Sequence, residues 1–362
     1  LITNPPKDSE VEVTLIGTGG GYGESLVIKV NVNSWIIIDS CVNPANKEPL
    51  SIEYLKSINV NLENVKLIVC THWHNDHIKG LAKTLEECVN AKFCFSHVHD
   101  LEKFLYLCGL DYAKMQKGTV GSLTEFIKCI DIIEDRKKFN IPAQCDLCVF
   151  AEYGDIVDFA LFALSPSPKT IQDFNSELSQ LMSDFGSSNI TMVNNSPNAK
   201  SVALLLKFGK QRVILGADLE QGNCDDNGWR HIIKQCVVID KEKADLYKLP
   251  HHGSENGYLK EIFDVLVNND GILKVSPYNS SGLPRSEMIS TYRQHTQNIF
   301  STSAPKEHLR SKRRDLSLEK FIDREAKVLE IKFTHGIVRS RIDYTEETST
   351  WTTELFEAAV KL

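Results

Sequence analysis

No apolar run in this chain approaches the ~18 residues that a membrane-spanning helix needs, and its start, Leu1-Ile-Thr-Asn-Pro-Pro-Lys-Asp-Ser-Glu10, has no basic segment ahead of an apolar core. Neither membrane insertion nor secretion is expected. Positive charge is not in surplus: 41 Lys and Arg against 48 Asp and Glu leave a formal net charge of −7. That balance argues against a broadly basic nucleic-acid-binding surface, though not against a local basic groove around bound cations. Close cysteine pairs are also scarce. Cys145-Asp-Leu-Cys148 stands alone, with no second pair to complete a zinc site. The ten cysteines are scattered through apparent strands and helices of a chain too long to need staples, so they read as reduced thiols in a cytoplasm. No internal sequence repeat is visible.

What the chain does have is the composition of a soluble globular protein, 362 residues with 42% hydrophobic and 25% charged, enough for one large domain or two small ones. It also has one concentrated stretch of chemistry, Lys66-Leu-Ile-Val-Cys-Thr-His72-Trp-His74-Asn-Asp76-His77. The β-branched run reads as a buried strand, and the ligand-type residues follow at its end. Side chains two apart in extended chain point the same way, so His72 and His74 can converge on one ion. Asp76 and His77 fall where the chain turns into a helix expected over about 78–89, and they can face a second ion. Five of the eleven histidines lie in this segment and in the later pair His251-His252.

His72-Trp-His74-Asn-Asp76-His77 resembles the His-x-His-x-Asp-His signature of the metallo-β-lactamase superfamily. The resemblance implies an α/β fold, a four-layer αβ/βα sandwich, with a dinuclear metal site at one edge. It implies two divalent ions, zinc or alternatively manganese. Downstream segments are similar to the branch that includes the hydrolase domain of competence DNA-uptake channel proteins and phosphorylcholine esterase. Gln211-Arg-Val-Ile-Leu-Gly-Ala-Asp218-Leu-Glu220 is similar to its Gly-Asp-x-Glu motif, with Ala217 as an extra residue, and makes Asp218 the carboxylate bridging both ions. Lys248-Leu-Pro-His251-His252-Gly253-Ser254 is similar to its Lys-x-x-His-His-Gly-Ser segment. The implied ligands are His72, His74, Asp76, His77, Asp218 and His252. His251 is then left to meet substrate or protonate the leaving group, and Asp76 and His251 are the implied catalytic pair; the reverse assignment, with His251 the ligand and His252 the acid, stays open.

Other positions carry weaker signals. Trp35-Ile-Ile-Ile-Asp39 is a strand ending in a carboxylate; locally a turn or N-cap residue, it matches the family's Asp that supports the metal loop. Gly17-Thr-Gly-Gly-Gly-Tyr-Gly23 is followed by strand rather than helix, so it reads as a hairpin turn and not a phosphate loop. His97-Val-His99-Asp100 ends a strand but is not taken as a ligand set. Residues 165–201 contain no His where relatives often have one, which leaves the first ion open coordination positions. Asn198, Ser254, Asn279 and Arg285 are implied supporting or substrate-binding groups, Arg285 standing near Leu283, where the branch has His. Residues 170–197 read as a loop over the site. Residues 287–300 read as a helix and 328–343 as a closing hairpin. Arg310, Lys312, Arg313 and Arg314 read as a solvated basic face. Expected organisation is one domain over 10–345, with 97–148 a helical insertion, and a C-terminal extension over 346–362.

The family resemblance implies a hydrolase that uses a metal-bridging hydroxide, which suits phosphodiesters, esters and amides alike. The expected activity is that of a phosphodiesterase or nuclease on DNA, RNA or nucleotides, with no membrane partner. An ester, lactone or lactam hydrolase and a non-catalytic metal-binding regulatory protein are the alternatives.

Overall fold

The computed structural model describes residues 4–18, 23–106, 122–183, 197–306, 335–346 and 348–362. Two eight-stranded mixed sheets form its centre. The first runs from edge to edge as β15 (Thr352–Glu357), β14 (His335–Asp343), β1 (Glu10–Thr18), β2 (Glu24–Asn31), β3 (Ser34–Ile38), β4 (Val65–Cys70), β5 (Lys92–Ser96) and β6 (Asn140–Ala143). The second runs as β16 (Val360–Lys361), β13 (Ile299–Ser301), β12 (Val267–Val275), β11 (Ala244–Lys248), β10 (Gln211–Leu215), β9 (Leu204–Phe208), β8 (Phe159–Ala163) and β7 (Cys148–Glu152). Each sheet follows the same plan. An antiparallel meander (β1 to β3; β7 to β10) passes into parallel strands (β3 to β6; β10 to β13).

Side-chain alternation explains the layering. Leu67 and Val69 of β4 point into the core between the sheets, with Ile36, Ile38, Leu204, Leu206 and Leu246. Ile68 and Cys70 point to the opposite face, where α1 (Leu50–Ser57), α3 (Leu81–Glu87), α4 (Ser122–Asp135) and α5 (Pro168–Ser183) cover the first sheet. Ile214, Tyr247 and Leu273 likewise face α6 (Gly228–Gln235), α7 (Lys260–Val265) and α8 (Ser286–Tyr292) on the second. Strands buried on both faces read as continuous apolar runs, as Leu67 to Cys70 does. The result is the four-layer αβ/βα sandwich.

Several local expectations differ from the structure. The helix expected over 78–89 is two short ones, α2 (Asn75–Ile78) and α3, divided at Gly80, whose φ is +87°. The loop expected over 170–197 is helical as far as Ser183, because Pro168 opens the first turn and Thr170, Phe174 and Leu178 make a buried stripe at i, i+4; residues 184–196 lie outside the described residues. The helix expected over 287–300 stops at Tyr292, and the chain re-enters the second sheet as β13. Within 97–148, α4 is helical as expected, but Asn140–Ala143 pairs in parallel with β5 as an edge strand. Residues 352–361 supply the outer strand of each sheet, β15 and β16. The Gly-rich turn at 19–22, the basic cluster at 310–314 and the first arm of the expected closing hairpin lie outside the described residues. Among the described residues seven cysteines are unbridged, but the sulfurs of Cys145 and Cys236, 91 residues apart, are in bonding contact, so the expectation of reduced thiols throughout does not hold for that pair. No described helix is long and apolar enough to cross a membrane.

At one edge the sheets meet through backbone. A Cβ on Gly336 of β14 would lie 1.8 Å from the carbonyl oxygen of Thr302, just past β13. Gly336→Ala is therefore expected to cost about 3 kcal/mol, the upper end for overpacking against an obstacle that cannot rotate away. Urea denaturation reads this as a lowered midpoint; an unchanged midpoint would mean that the sheets can part there.

Candidate metal centre

Parallel strands of both sheets release their C-terminal ends at the same edge, and the titratable motif residues lie there. His72 and His74 follow β4, Asp76 and His77 lie in α2, Asp218 follows β10, and His251 and His252 follow β11. Two clusters result. Ligand atoms of His72, His74 and Asp218 lie within 4.8 Å of one another, as do those of Asp76, His77, Asp218 and His252. Asp218 belongs to both and is 2% exposed.

Each deep imidazole is held from behind. The Nδ1 of His77 donates to Asp39 Oδ2 at 2.7 Å, and the Nδ1 of His252 donates to the Ser276 carbonyl at 2.9 Å. Thr71 Oγ1 donates to Asp39 Oδ2 at 2.7 Å, so its lone pair accepts from His72 Nδ1 at 3.0 Å. This network places a proton on Nδ1 in all three rings and turns each Nε2 inward, where it can ligate a cation that displaces any proton it carries. Asp39 is the common anchor, since its Oδ1 also accepts from the Thr71 amide at 2.8 Å. A turn carboxylate would have served its own loop; this one serves the loop of β4.

The inward atoms are unevenly satisfied: His72 Nε2 lies 3.1 Å from His74 Nδ1 and His252 Nε2 pairs with Asp76, whereas His77 and Asp218 each keep an unpaired atom. His77 Nε2 lies 3.2 Å from Asp218 Oδ1, and neither atom has a hydrogen-bond partner. His252 Nε2 stands 3.0 Å from Asp76 Oδ2 and 3.6 Å from Asp218 Oδ2, while His72 Nε2 is 3.8 Å from the same Asp218 oxygen. Burial would raise the Asp218 pKa, but the His77 and His252 charges outweigh it and hold the carboxyl well below its usual range. Burial would lower the His77 pKa, but Asp218, Asp76 and Asp39 outweigh it and hold it well above. The crevice is a buried anionic field that calls for cations. Imidazole nitrogens and carboxylate oxygens at this spacing are the donor set of a borderline divalent metal such as zinc, so these residues fit a dinuclear centre.

Backbone strain concentrates in the same loops. Asp39, Ala217, His251 and His252 all have positive φ, between 45° and 59°. The extra residue Ala217 is pinned through its carbonyl, which accepts from the His251 amide at 2.9 Å and Lys248 Nζ at 3.0 Å. Gly23 is required by contact, since a Cβ there would meet the Asp76 carbonyl at 2.6 Å.

The remaining sequence-chosen residues divide. Asn198 is buried beside the centre, its amide 3.1 Å from His251 Nε2. His251 Nδ1 faces Glu220 at 3.6 Å. Ser254 and Arg285 line a cavity of about 780 Å³ that shares His251, Ser281 and Leu283 with the ~300 Å³ cavity over the centre. Arg285 is exposed, and its side chain makes no hydrogen bond or ion pair among the described residues. Asn279 lines neither cavity; its Oδ1 accepts from the Lys306 amide at 2.9 Å. His97 and His99 belong to neither cluster.

Sequence reading missed three groups. Glu24 is buried, ion-paired with Lys248, and 3.9 Å from both His77 Nδ1 and His252 Nδ1. Lys248 had been noticed only as part of a motif. Tyr278 stacks on His252 with ring centroids 5.2 Å apart. The one available signal for Glu24 was a carboxylate directly after the glycine-rich turn; nothing local pairs it with Lys248.

A family model described as the metallo-beta-lactamase superfamily matches residues 18–272. No curated protein matches the sequence. Among solved structures, the metallo-beta-lactamase fold protein YhfI from Bacillus subtilis is 13% identical, with a TM-score of 0.39 over 83% of this chain and 97% of that one. A metallo-beta-lactamase from Cronobacter sakazakii is 12% identical, with a TM-score of 0.37 over 65% of this chain and 76% of that one. The short form of human tRNase Z is 11% identical, with a TM-score of 0.36 over 80% and 90% respectively.

Because Asp39 orients His77 directly and His72 through Thr71, Asp39→Asn should weaken metal binding by roughly 10–100-fold while the far-ultraviolet circular dichroism stays unchanged. Competition against a chromophoric chelator measures this; parental affinity in the variant would reduce Asp39 to a turn residue.

Proposed function

The chain belongs to the metallo-beta-lactamase superfamily, and from that premise we propose that it is a metal-dependent phosphodiesterase or nuclease acting on nucleic acid or nucleotides. The observation that carries this reading is the unequal pair of ligand clusters sharing Asp218, set under a cavity lined by nine polar residues and Leu283. His72, His74 and Asp218 offer an ion only three protein donors, which leaves room for a substrate oxygen. His74, Asn75, Asn198, His251, Tyr278 and Ser281 suit a phosphodiester better than the apolar acyl group of a lactone or lactam. The unpaired Arg285 in the adjoining cavity is placed to meet a second phosphate.

Divalent ions held by His72, His74, Asp76, His77, Asp218 and His252, zinc by their imidazole-rich donor set, would lower the pKa of a water molecule and offset charge on the phosphoryl oxygens. The chain supplies the rest. The Asp76 carboxylate, held at His252, orients the attacking water and receives its proton. His251, fixed by Asn198 and carrying Glu220 behind its other nitrogen, stands at the junction of the two cavities to protonate the departing oxygen. Asn198 also keeps its Oδ1 buried and unpaired, free for a substrate donor. A cytoplasmic setting fits the seven unbridged cysteines.

The test is metal analysis with hydrolysis of bis(p-nitrophenyl) phosphate and of labelled single- and double-stranded DNA and RNA. About two metals per chain and phosphodiester cleavage are expected, with cleavage lost in Asp218→Ala and His74→Ala. A loaded protein that cleaves esters or lactones but no phosphodiester would overturn the substrate class, and an empty one the enzyme. His251→Gln should lower kcat on DNA or RNA by about 10²-fold or more, yet spare the p-nitrophenyl ester, whose leaving group needs no proton. Equal losses on both substrates would remove His251 from the acid role.

A further inference from the structure

Away from the hydrolytic centre, a second group of metal-type ligands comes together where the two sheets are joined. Cys145 sits in the turn between β6 and β7. His231 and Cys236 lie on α6 and at its C-terminal end. One atom from each of the three, the two sulfurs and a ring nitrogen, lies within 4.8 Å of the others. None of the three belongs to the ligand clusters around Asp218.

The surroundings hold this group in place. The Cys145 amide donates to the Pro166 carbonyl and the Asp146 amide to the Ala163 carbonyl, each at 2.9 Å, which ties the turn to the end of β8. Asp146, at φ +67°, accepts the Val238 amide through Oδ1 at 3.0 Å and so ties the same turn to the chain leaving α6. Cys236 is packed in the core of the second sheet, and its sulfur lies 3.5 Å from the Leu164 carbonyl. Cys145 is only half buried, which gives an ion a way in.

The His231 ring is the independent indication. The residue is 6% exposed, yet its Nδ1 is buried without a hydrogen-bond partner. A buried polar nitrogen left unpaired costs on the order of 1–3 kcal/mol. A disulfide between Cys145 and Cys236 would leave that nitrogen as it is, because a bridged sulfur is neither a donor nor more than a weak acceptor. A cation satisfies the ring and both sulfurs together. Burial lowers the His231 pKa, and the carboxylates of Asp146 and Asp226 oppose that shift, adding negative potential at the same place.

We propose that, with its sulfurs reduced, the Cys145–His231–Cys236 group binds one thiophilic divalent ion of the zinc class, with solvent completing the coordination. The two sulfurs now in contact separate by thiol–disulfide exchange: two thiols of a small reductant give up two hydrogens, become a disulfide, and leave Cys145 and Cys236 as thiols. Binding the ion then releases one proton from each thiol. Tetrahedral bonds of about 2.3 Å set two ligating sulfurs roughly 3.8 Å apart, within the span of the cluster. The bound ion fastens α6 and the β6–β7 turn to the Leu164–Pro166 segment. From there Ser165 Oγ donates to the Ser201 carbonyl at 2.6 Å, and Ser201 Oγ lies 3.3 Å from His72 Nδ1. The site is thus structural, one strand end away from the hydrolytic centre.

The test uses the full chain, reduced with a phosphine under anaerobic conditions, stripped with chelator, and titrated with cobalt(II). No cysteine stands among the ligands proposed at the hydrolytic centre, so a sulfur-to-cobalt charge-transfer band reports the thiolate site alone. The band should saturate at about one cobalt per chain, persist in Asp218→Ala, disappear in Cys145→Ser and Cys236→Ser, and weaken in His231→Ala. A free-thiol count on the reduced wild-type chain accompanies the titration, so the result does not rest on whether a variant folds. Reduced thiols with no band, a band that survives Cys145→Ser, or a Cys145–Cys236 bridge that the phosphine leaves closed would each overturn the proposal. Phosphodiester cleavage plays no part in the readout, so this site can fail while the hydrolytic reading stands, and the reverse.

Discussion

Like the ion it calls for, the charge of Asp218 organises this protein. A carboxylate almost wholly withdrawn from water would be costly if left alone, and it stands among imidazoles delivered by both sheets. Its oxygens lie 3.2 to 3.8 Å from His77, His252 and His72, close enough for strong mutual fields but too far and too crowded for each group to be satisfied by the others. The opposite displacements of the Asp218 and His77 pKa values express the same fact, since the carboxylates of the crevice stabilise positive charge at His77, while burial holds His72 and His74 below the usual imidazole range. A divalent cation meets that demand without a proton having to be held on any ring.

The scaffold behind this crevice answers to the same electrostatics. Lys248 of β11 reaches across to Glu24 of β2, so the two sheets are tied by a buried ion pair directly behind His77 and His252. Lys274 of β12 has no carboxylate partner among the described residues and donates instead to the carbonyls of Val13 and Val338, at 2.6 and 3.0 Å, again from the second sheet to the first. Burial pushes its pKa well below the usual lysine range. Broken pairs of this kind are strongly destabilising, while intact ones contribute little net stability. Their evident service is registry, because they fix how the strand ends of one sheet face those of the other.

Legibility in the sequence followed physical range. The strand Val65–Cys70 and the four residues after it could be read because period-two alternation and ligand spacing are properties of a few consecutive residues. Asp39 could be read as a strand-end carboxylate, but its three hydrogen bonds to Thr71 and His77 depend on β3 and β4 lying side by side in parallel. The helix α5 was hidden by its polar composition, although the Thr170, Phe174 and Leu178 stripe was present; what settles it is the aromatic group of Trp73, Phe104 and Phe126 on which Phe174 lands. Asn279 was selected from a motif and is used in the structure to hold the backbone at Lys306.

By itself the sequence determined the β-rich alternation, the ligand-bearing strand end at His72 to His77, and the kind of chemistry such residues perform, because all three are encoded within a turn or two of chain. Tertiary structure alone decided that Glu24 and Lys248 stand behind both ligand clusters, and that Cys145 meets Cys236 and His231 instead of its sequence neighbour Cys148. Those meetings depend on which strand ends two packed sheets bring to one edge or one crossing. That is set by burial of both faces of each sheet over the whole chain, and no local spacing contains it.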